Sequence, residues 1–143
     1  MWLLVQERIK ARVLLHVKHV VTDTTCEVCC AAEEDADHII FGCHVARSFW
    51  NALGITTTNA SVHHLHFLSR PPNVPARHQD VFLHLCCWNL WKHRNEMIFQ
   101  YESSCLCRLL LRCRNDAELW RCRLSLVDAD IVNTWCSLLS SII

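Results

Sequence analysis

Glycine and proline are scarce in this chain, two and three residues in 143. That scarcity excludes collagen-like repeats and glycine-rich linkers, and it nearly excludes the glycine-rich loops that cradle phosphates. Net charge is absent too: fourteen Lys and Arg balance fourteen Asp and Glu. The basic excess of most autonomous DNA or RNA binders is therefore missing, and any nucleic-acid role must come from a local patch. No apolar run approaches the ~20 residues that span a bilayer. Nor does the sequence contain an Asp-Asp dipeptide, a His-Glu-x-x-His helix or a Gly-x-Ser-x-Gly elbow. These absences remove the metal-holding aspartate pair of polymerases and the common hydrolase signatures, so the chain is expected not to be an enzyme.

What is present is core material and sulfur. Hydrophobic residues make up 52% against 20% charged, and there are eleven cysteines between Cys26 and Cys136. A soluble chain of this length buries roughly 68–70% of its unfolded surface, enough for one core. An odd cysteine count speaks against a secreted disulfide framework. The first 21 residues are interrupted by Glu7, Arg8, Lys10, Arg12 and Lys18, which breaks the uninterrupted apolar stretch of a secretory signal. The expected setting is a reducing, intracellular compartment, nucleus or cytoplasm, where thiols serve as small buried hydrophobes or as metal ligands.

Helical periodicity dominates the rest. Trp2, Val5, Ile9, Val13 and Val17 or Val20 recur at three- and four-residue steps, predicting a helix of about five turns over Trp2–Val21. Thr22-Asp23-Thr24-Thr25 predicts a turn or short ribbon, since these side chains compete with helix backbone. A second helix is expected over Ile39–Leu53, with Asp35 or Asp37 as its cap and Gly54 as its stop. Residues 55–77, which include Thr56-Thr57-Thr58-Asn59 and Pro71-Pro72-Asn73-Val74-Pro75, read as a connector. Helices are expected from His78 to about Phe99, from about Ser103 to Leu126 and from Asp128 to Ser140.

One constellation carries chemistry. Cys26-x2-Cys29, then His38, then Cys43 place three thiols and one imidazole within eighteen residues. Zn²⁺ takes four such ligands tetrahedrally, and a two-residue gap lets a tight turn aim both sulfurs at one ion. Four protein ligands close the site, which makes it structural rather than catalytic. Cys30 could replace Cys29, and His44 sits beside Cys43; Cys29 and His38 are preferred. The expected architecture is mainly α, a small helical domain with a zinc knuckle at residues 1–54, a connector at 55–77 and a helical C-terminal region at 78–143.

Arg8-Ile9-Lys10-Ala11-Arg12, Cys26-Glu27-Val28-Cys29, Glu33-Glu34, Asp37-His38-Ile39-Ile40-Phe41-Gly42-Cys43 and Phe49-Trp50 together resemble the zinc-binding domain downstream of the reverse transcriptase in plant LINE-type (non-LTR) retrotransposons. The later run Leu90-Trp91-Lys92-His93-Arg94-Asn95-Glu96 resembles the Trp-Lys-x-Arg-Asn segment that follows this domain in such elements. The resemblance implies Cys26, Cys29, His38 and Cys43 as the Zn²⁺ ligands. It departs at Cys30, where a small residue such as Gly is expected. It also implies a retroelement-derived chain that keeps the tail of a polyprotein without its catalytic part.

Three roles follow as expectations. The first is a non-enzymatic structural zinc module. The second is a helical protein-interaction or scaffold fragment with a vestigial metal site, whose exposed apolar faces meet a protein partner. The third is weak binding of RNA or single-stranded DNA through the knuckle and through Trp91, Lys92 and Arg94, an aromatic and basic segment suited to stacking and phosphate contact. The histidines at 63, 64 and 66 read as a surface loop, and Cys86-Cys87 and Cys105-x-Cys107 as packing or partly exposed thiols.

Overall fold

A computed structural model describes residues 6, 8–71 and 74–143. Among these residues the regular structure is helical, apart from one isolated antiparallel bridge between Thr25 and Glu33. In chain order it comprises α1 (Arg12–Val17), a π-helical turn (His38–Gly42), α2 (His44–Ala52), 3-10 turns at Val62–Phe67 and Ala76–His78, α3 (Gln79–Phe99), α4 (Leu106–Trp120) with a 3-10 turn at Arg121–Arg123, and α5 (Ile131–Ile142). The mainly α architecture read from periodicity is the one that forms.

The N-terminal helix is much shorter than its apolar spacing suggests. Trp2 and Val5 lie outside the described residues, and the described part is α1 alone. Its start is fixed from outside: the Arg12 N–H donates to Glu34 Oε1 at 3.2 Å and the Val13 N–H to the Glu34 carbonyl at 3.0 Å. These are two of the amide donors that a helix N-terminus leaves without internal partners. Its end comes two residues beyond Val17, where His19 adopts a left-handed φ of 58°, a conformation that stops a right-handed helix.

The second expected helix is broken in two at Cys43. The Cys43 N–H reaches back five residues to the His38 carbonyl at 2.8 Å, closing the π turn, and Cys43 itself is extended before α2 begins. Asp35 is the cap of the π turn, accepting the His38 N–H at 2.7 Å, whereas Asp37 accepts the N–H of Val62 at 2.7 Å. At the far end Gly54 (φ 70°) donates to the Asn51 carbonyl and Ile55 to the Trp50 carbonyl, each at 3.0 Å. This paired closure is the one a left-handed glycine provides at a helix C-terminus.

Helix α3 is central. Its buried residues include Phe82, Leu85, Cys86, Leu90 and His93, spread over more than one face, as expected of a helix covered from several sides. Ion pairs Lys92–Asp116 and Glu96–Arg112 align α4 antiparallel to it. Arg114 to Ser140 and Arg121 to Asn133 align α5 antiparallel to α4. Trp135 of α5 is fully buried against Phe82, ring centroids 5.8 Å apart. Residues 55–77 supply Ile55, Val62, Leu65, Leu68 and Val74 to the same core. No helix among the described residues is long and apolar enough to cross a membrane.

Candidate metal centre

The knuckle is built by backbone bonds between residues on either side of the Cys26–Cys29 turn. The Cys26 N–H donates to the Ala32 carbonyl at 2.8 Å, the Glu34 N–H to the Thr24 carbonyl at 2.9 Å and the Cys30 N–H to the Cys26 carbonyl at 2.9 Å. Cys30 sits at the turn with a left-handed φ of 54°. Glycine takes that conformation without steric cost, which is the physical basis for expecting a small residue there.

His38 and Cys43 come from the π turn. At α-helical pitch, positions five apart are about 1.4 turns apart and face different directions; the wider i→i−5 turn brings Cys43 back toward the side of His38. Gly42 makes room for the imidazole, because a Cβ at that position would lie 2.9 Å from His38 Nδ1. Below the turn, Trp50 Nε1–H donates to the Ile40 carbonyl at 2.6 Å, and the Trp50 ring stacks on Phe41 at 5.7 Å. The π turn therefore rests on a buried aromatic base rather than on a long helix.

The donor atoms of Cys26, Cys29, His38 and Cys43 all lie within 4.8 Å of one another. Cys29 Sγ is 3.3 Å from His38 Nε2. Cys26 and Cys43 are buried, while Cys29 and His38 are half-buried. Cys30, the alternative thiol, is exposed and directed at the Glu27 carbonyl. His44 lies with Nδ1 3.9 Å from Cys43 Sγ, outside the four-residue cluster. A tetrahedral zinc ion with Zn–S of about 2.3 Å separates its ligand atoms by roughly 3.5–3.8 Å, so the cluster is of the right size and donor type for such an ion.

Proton chemistry at the cluster is coupled. The hydrogen bond to Cys43, and then burial, raises the Cys26 pKa, while the same contact lowers that of Cys43.

Residues 1–50 match the family model for zinc-binding in reverse transcriptase. All four residues of the cluster fall inside the matched stretch. No curated protein and no solved structure matches the chain.

The segment Trp91, Lys92 and Arg94 is engaged within the fold rather than gathered on one open face. Arg94 is buried, its Nε donating to Glu34 Oε2 at 3.0 Å, its Nη2 to Glu34 Oε1 and its Nη1 to Asn95 Oδ1 at 2.9 Å. Lys92 is paired with Asp116 at 3.2 Å, and Trp91 is half-buried against Trp88. The physical reason is Glu34: a fully buried carboxylate needs a cationic partner, and Arg94 supplies a two-point one. In the sequence Glu34 stands out only as one of the Glu33-Glu34 pair. Its signal was visible only jointly with Arg94, 60 residues away.

Proposed function

We propose that this chain is a non-enzymatic, structural zinc-binding module in which Cys26, Cys29, His38 and Cys43 hold one Zn²⁺. The observation that carries this reading is the convergence of four donor atoms within 4.8 Å, taken from two separate segments. Zinc, when bound, supplies a cross-link between the knuckle and the π turn. The chain's own residues do the rest: Asp35 fixes the start of the π turn, Gly42 leaves room for the imidazole, and the Trp50 indole anchors the turn from below. Four protein donors leave no open position for a substrate, which favours a structural role over a catalytic one. The family match over residues 1–50 and the Trp-Lys-x-Arg-Asn run at 91–95 support descent from the tail of a retroelement protein of the plant non-LTR kind. Native mass spectrometry of the reduced, chelator-free chain tests the reading. One zinc per chain is expected, lost in Cys26→Ser; metal-free protein at equimolar zinc overturns it.

A second reading, weak contact with single-stranded nucleic acid, is favoured by one feature. An open cleft of about 640 Å³ beside His38 is lined by Arg47, Asn51, Thr57, Thr58 and Asn59, rich in hydrogen-bond donors. With Asp37 also in its lining and no net charge on the chain, few phosphates can be neutralised and the salt dependence should be shallow. Titration of a labelled oligonucleotide at low salt should show saturable binding that weakens in Arg47→Ala. An unaffected variant, or no saturation, removes this reading.

A further inference from the structure

The deepest charge in the molecule lies between the metal cluster and the C-terminal helices. Glu34 is 0% exposed. Each of its polar groups is engaged: the carboxylate accepts from the Arg12 N–H and twice from the Arg94 guanidinium, its N–H donates to Thr24 and its carbonyl accepts from Val13. The Arg12 guanidinium is directed elsewhere, to the Asp23 carbonyl and to Glu27. Among the described residues of the stretch 1–50 the carboxylate of Glu34 therefore keeps only a backbone donor, and its charge partner comes from α3. Asn95, the next residue of that helix, holds the third guanidinium nitrogen.

The position of Glu34 is also the position of a metal ligand. Its bond to Thr24 and the Thr25–Glu33 bridge set the register of the chain entering Cys26, whose N–H bonds to Ala32. A second contact leads to the same place independently. A void of only about 20 Å³ is lined by Cys26 and Cys43 on one side and by Leu90, Arg94 and Met97 of α3 on the other. Two of the four donor residues therefore border the same small void as this helix.

We propose that α3 completes the metal centre, with Arg94 acting through Glu34 as a positioning residue for Cys26 and Cys43. The metal-binding unit then extends beyond the family-matched residues 1–50, and zinc occupancy is read out in the C-terminal helices. This rests on the zinc-module reading and adds to it a regulated partner, the chain's own α3. It also assigns the Arg-Asn pair of the Trp-Lys-x-Arg-Asn run a role in holding the metal unit rather than a ligand outside the molecule.

The test uses the full chain. Zinc affinity is measured by competition with a chromophoric chelator, and ligand geometry from the visible absorption of the Co²⁺-substituted protein. Arg94→Lys keeps the charge but loses the planar fork, and Glu34→Gln keeps the shape but loses the charge. Each should lower zinc affinity roughly 10–100-fold, as loss of a group that orients a metal ligand does, while the tetrahedral thiolate absorption of Co²⁺ persists. Lys92→Ala, on the same helix but paired with Asp116, should stay within about twofold of the parent. The double change Glu34→Met with Arg94→Met should restore stability, since apolar replacements of a buried ion pair are tolerated, without restoring zinc affinity. On the unaltered chain, zinc should slow hydrogen exchange of the amides at 88–97 as well as at 24–44. Parental zinc affinity in both single variants, or in the double one, overturns the inference alone, and so does protection confined to 24–44. A parent chain that takes up no zinc overturns the module reading and this inference together.

Discussion

The knuckle and the helical half of this molecule are stabilised by opposite means. Residues 79–142 hold three helices whose fully buried side chains, among them Phe82, Leu109, Val132, Trp135 and Leu139, interlock along their lengths. Residues 24–44 hold only a short helical segment, 36–42, which ends in the π turn. Their path is set by backbone bonds across the knuckle, by the Asp35 cap and by four donor atoms drawn from both ends of the segment. Burial stabilises the first region in proportion to apolar area. In the second, burial is concentrated at Ile39, Ile40 and Phe41, and the free energy of binding a metal at the four donors would add to the free energy of folding. One chain thus carries two kinds of stability, joined at Glu34 and Arg94.

Removing the metal breaks the comparison most severely. Structural zinc at a thiolate-rich site supplies on the order of 10–16 kcal/mol of apparent binding free energy at neutral pH. Cys26→Ser, His38→Ala or excess EDTA should abolish zinc binding and disorder residues 24–44. Because α3 borders the same void as Cys26 and Cys43 and holds Glu34 through Arg94, the melting temperature of the helical signal should fall as well. Circular dichroism with and without chelator checks this. An unchanged helical signal and melting curve would favour the rival reading, a helical scaffold carrying a vestigial site.

The converse experiment sharpens the contrast from the other side. Trp135→Ala empties a fully enclosed position beside Phe82 and should cost about 3–5 kcal/mol. Denaturant titration reads that loss. Zinc stoichiometry should stay at the parental value, since Trp135 lies on α5 and lines no part of the cluster. A loss of zinc together with the loss of stability would mean that the two halves cannot be separated energetically.

Legibility in the sequence followed the same division. The helical half was readable because period 3.6 is a local signal: Leu106, Leu109, Leu110, Cys113, Ala117 and Trp120 recur at helical steps along α4, and all are buried except the half-buried Leu106 and Trp120. On α3 the pattern was less decisive. Trp88 and Phe99 are exposed while Asn89, His93 and Arg94 are buried, because a helix covered on several sides presents no single apolar stripe. Spacing pointed to the four donor residues while leaving Cys30 open as an alternative to Cys29, whereas the π turn that unites two of them was not readable, since it differs from an α-helix by one hydrogen-bond register. Glu34–Arg94 was invisible for a different reason. A charge pair separated by 60 residues leaves no local trace, and each partner alone resembles an ordinary surface charge.

A smaller, pH-dependent difference is expected at His93, which is buried with neither ring nitrogen hydrogen-bonded among the described residues. Burial first, then the Arg112 and Arg108 cations, push its pKa below the ordinary 6.5, with Glu96 opposing. The unfolded chain takes up a proton near pH 6.5 that the native chain resists. This contribution to stability is therefore complete above pH 6.5 and is lost as the pH falls from there toward the depressed native value. His84 acts in the same direction, through burial, with Asp80 opposing. His93→Gln should accordingly flatten, without abolishing, the decline in stability between pH 7 and pH 5. Acid release of zinc is common to both proteins, so the difference between their urea midpoints across that range isolates His93. Parallel curves would contradict the assignment.

The smallest effect returns to the knuckle, at Cys30. Its φ of 54° places a side chain in the left-handed region, where Cβ crowding costs an L-residue roughly 1–2 kcal/mol. Glycine relieves that strain but gains freedom in the unfolded chain, a loss of roughly 0.5–1 kcal/mol relative to alanine. The balance leaves a net gain of about 0.5–1 kcal/mol for Cys30→Gly. Because Cys30 is exposed and directed away from the four donor atoms toward the Glu27 carbonyl, zinc stoichiometry should not change. Cys30→Ala serves as the control, since it removes the same sulfur but keeps the Cβ. It should leave both stability and zinc content near the parental values. Equal stabilisation by Gly and Ala would locate the gain in the loss of the thiol rather than in the backbone. A drop in zinc content in both variants would show that Cys30 Sγ, and not Cys29 Sγ, completes the site.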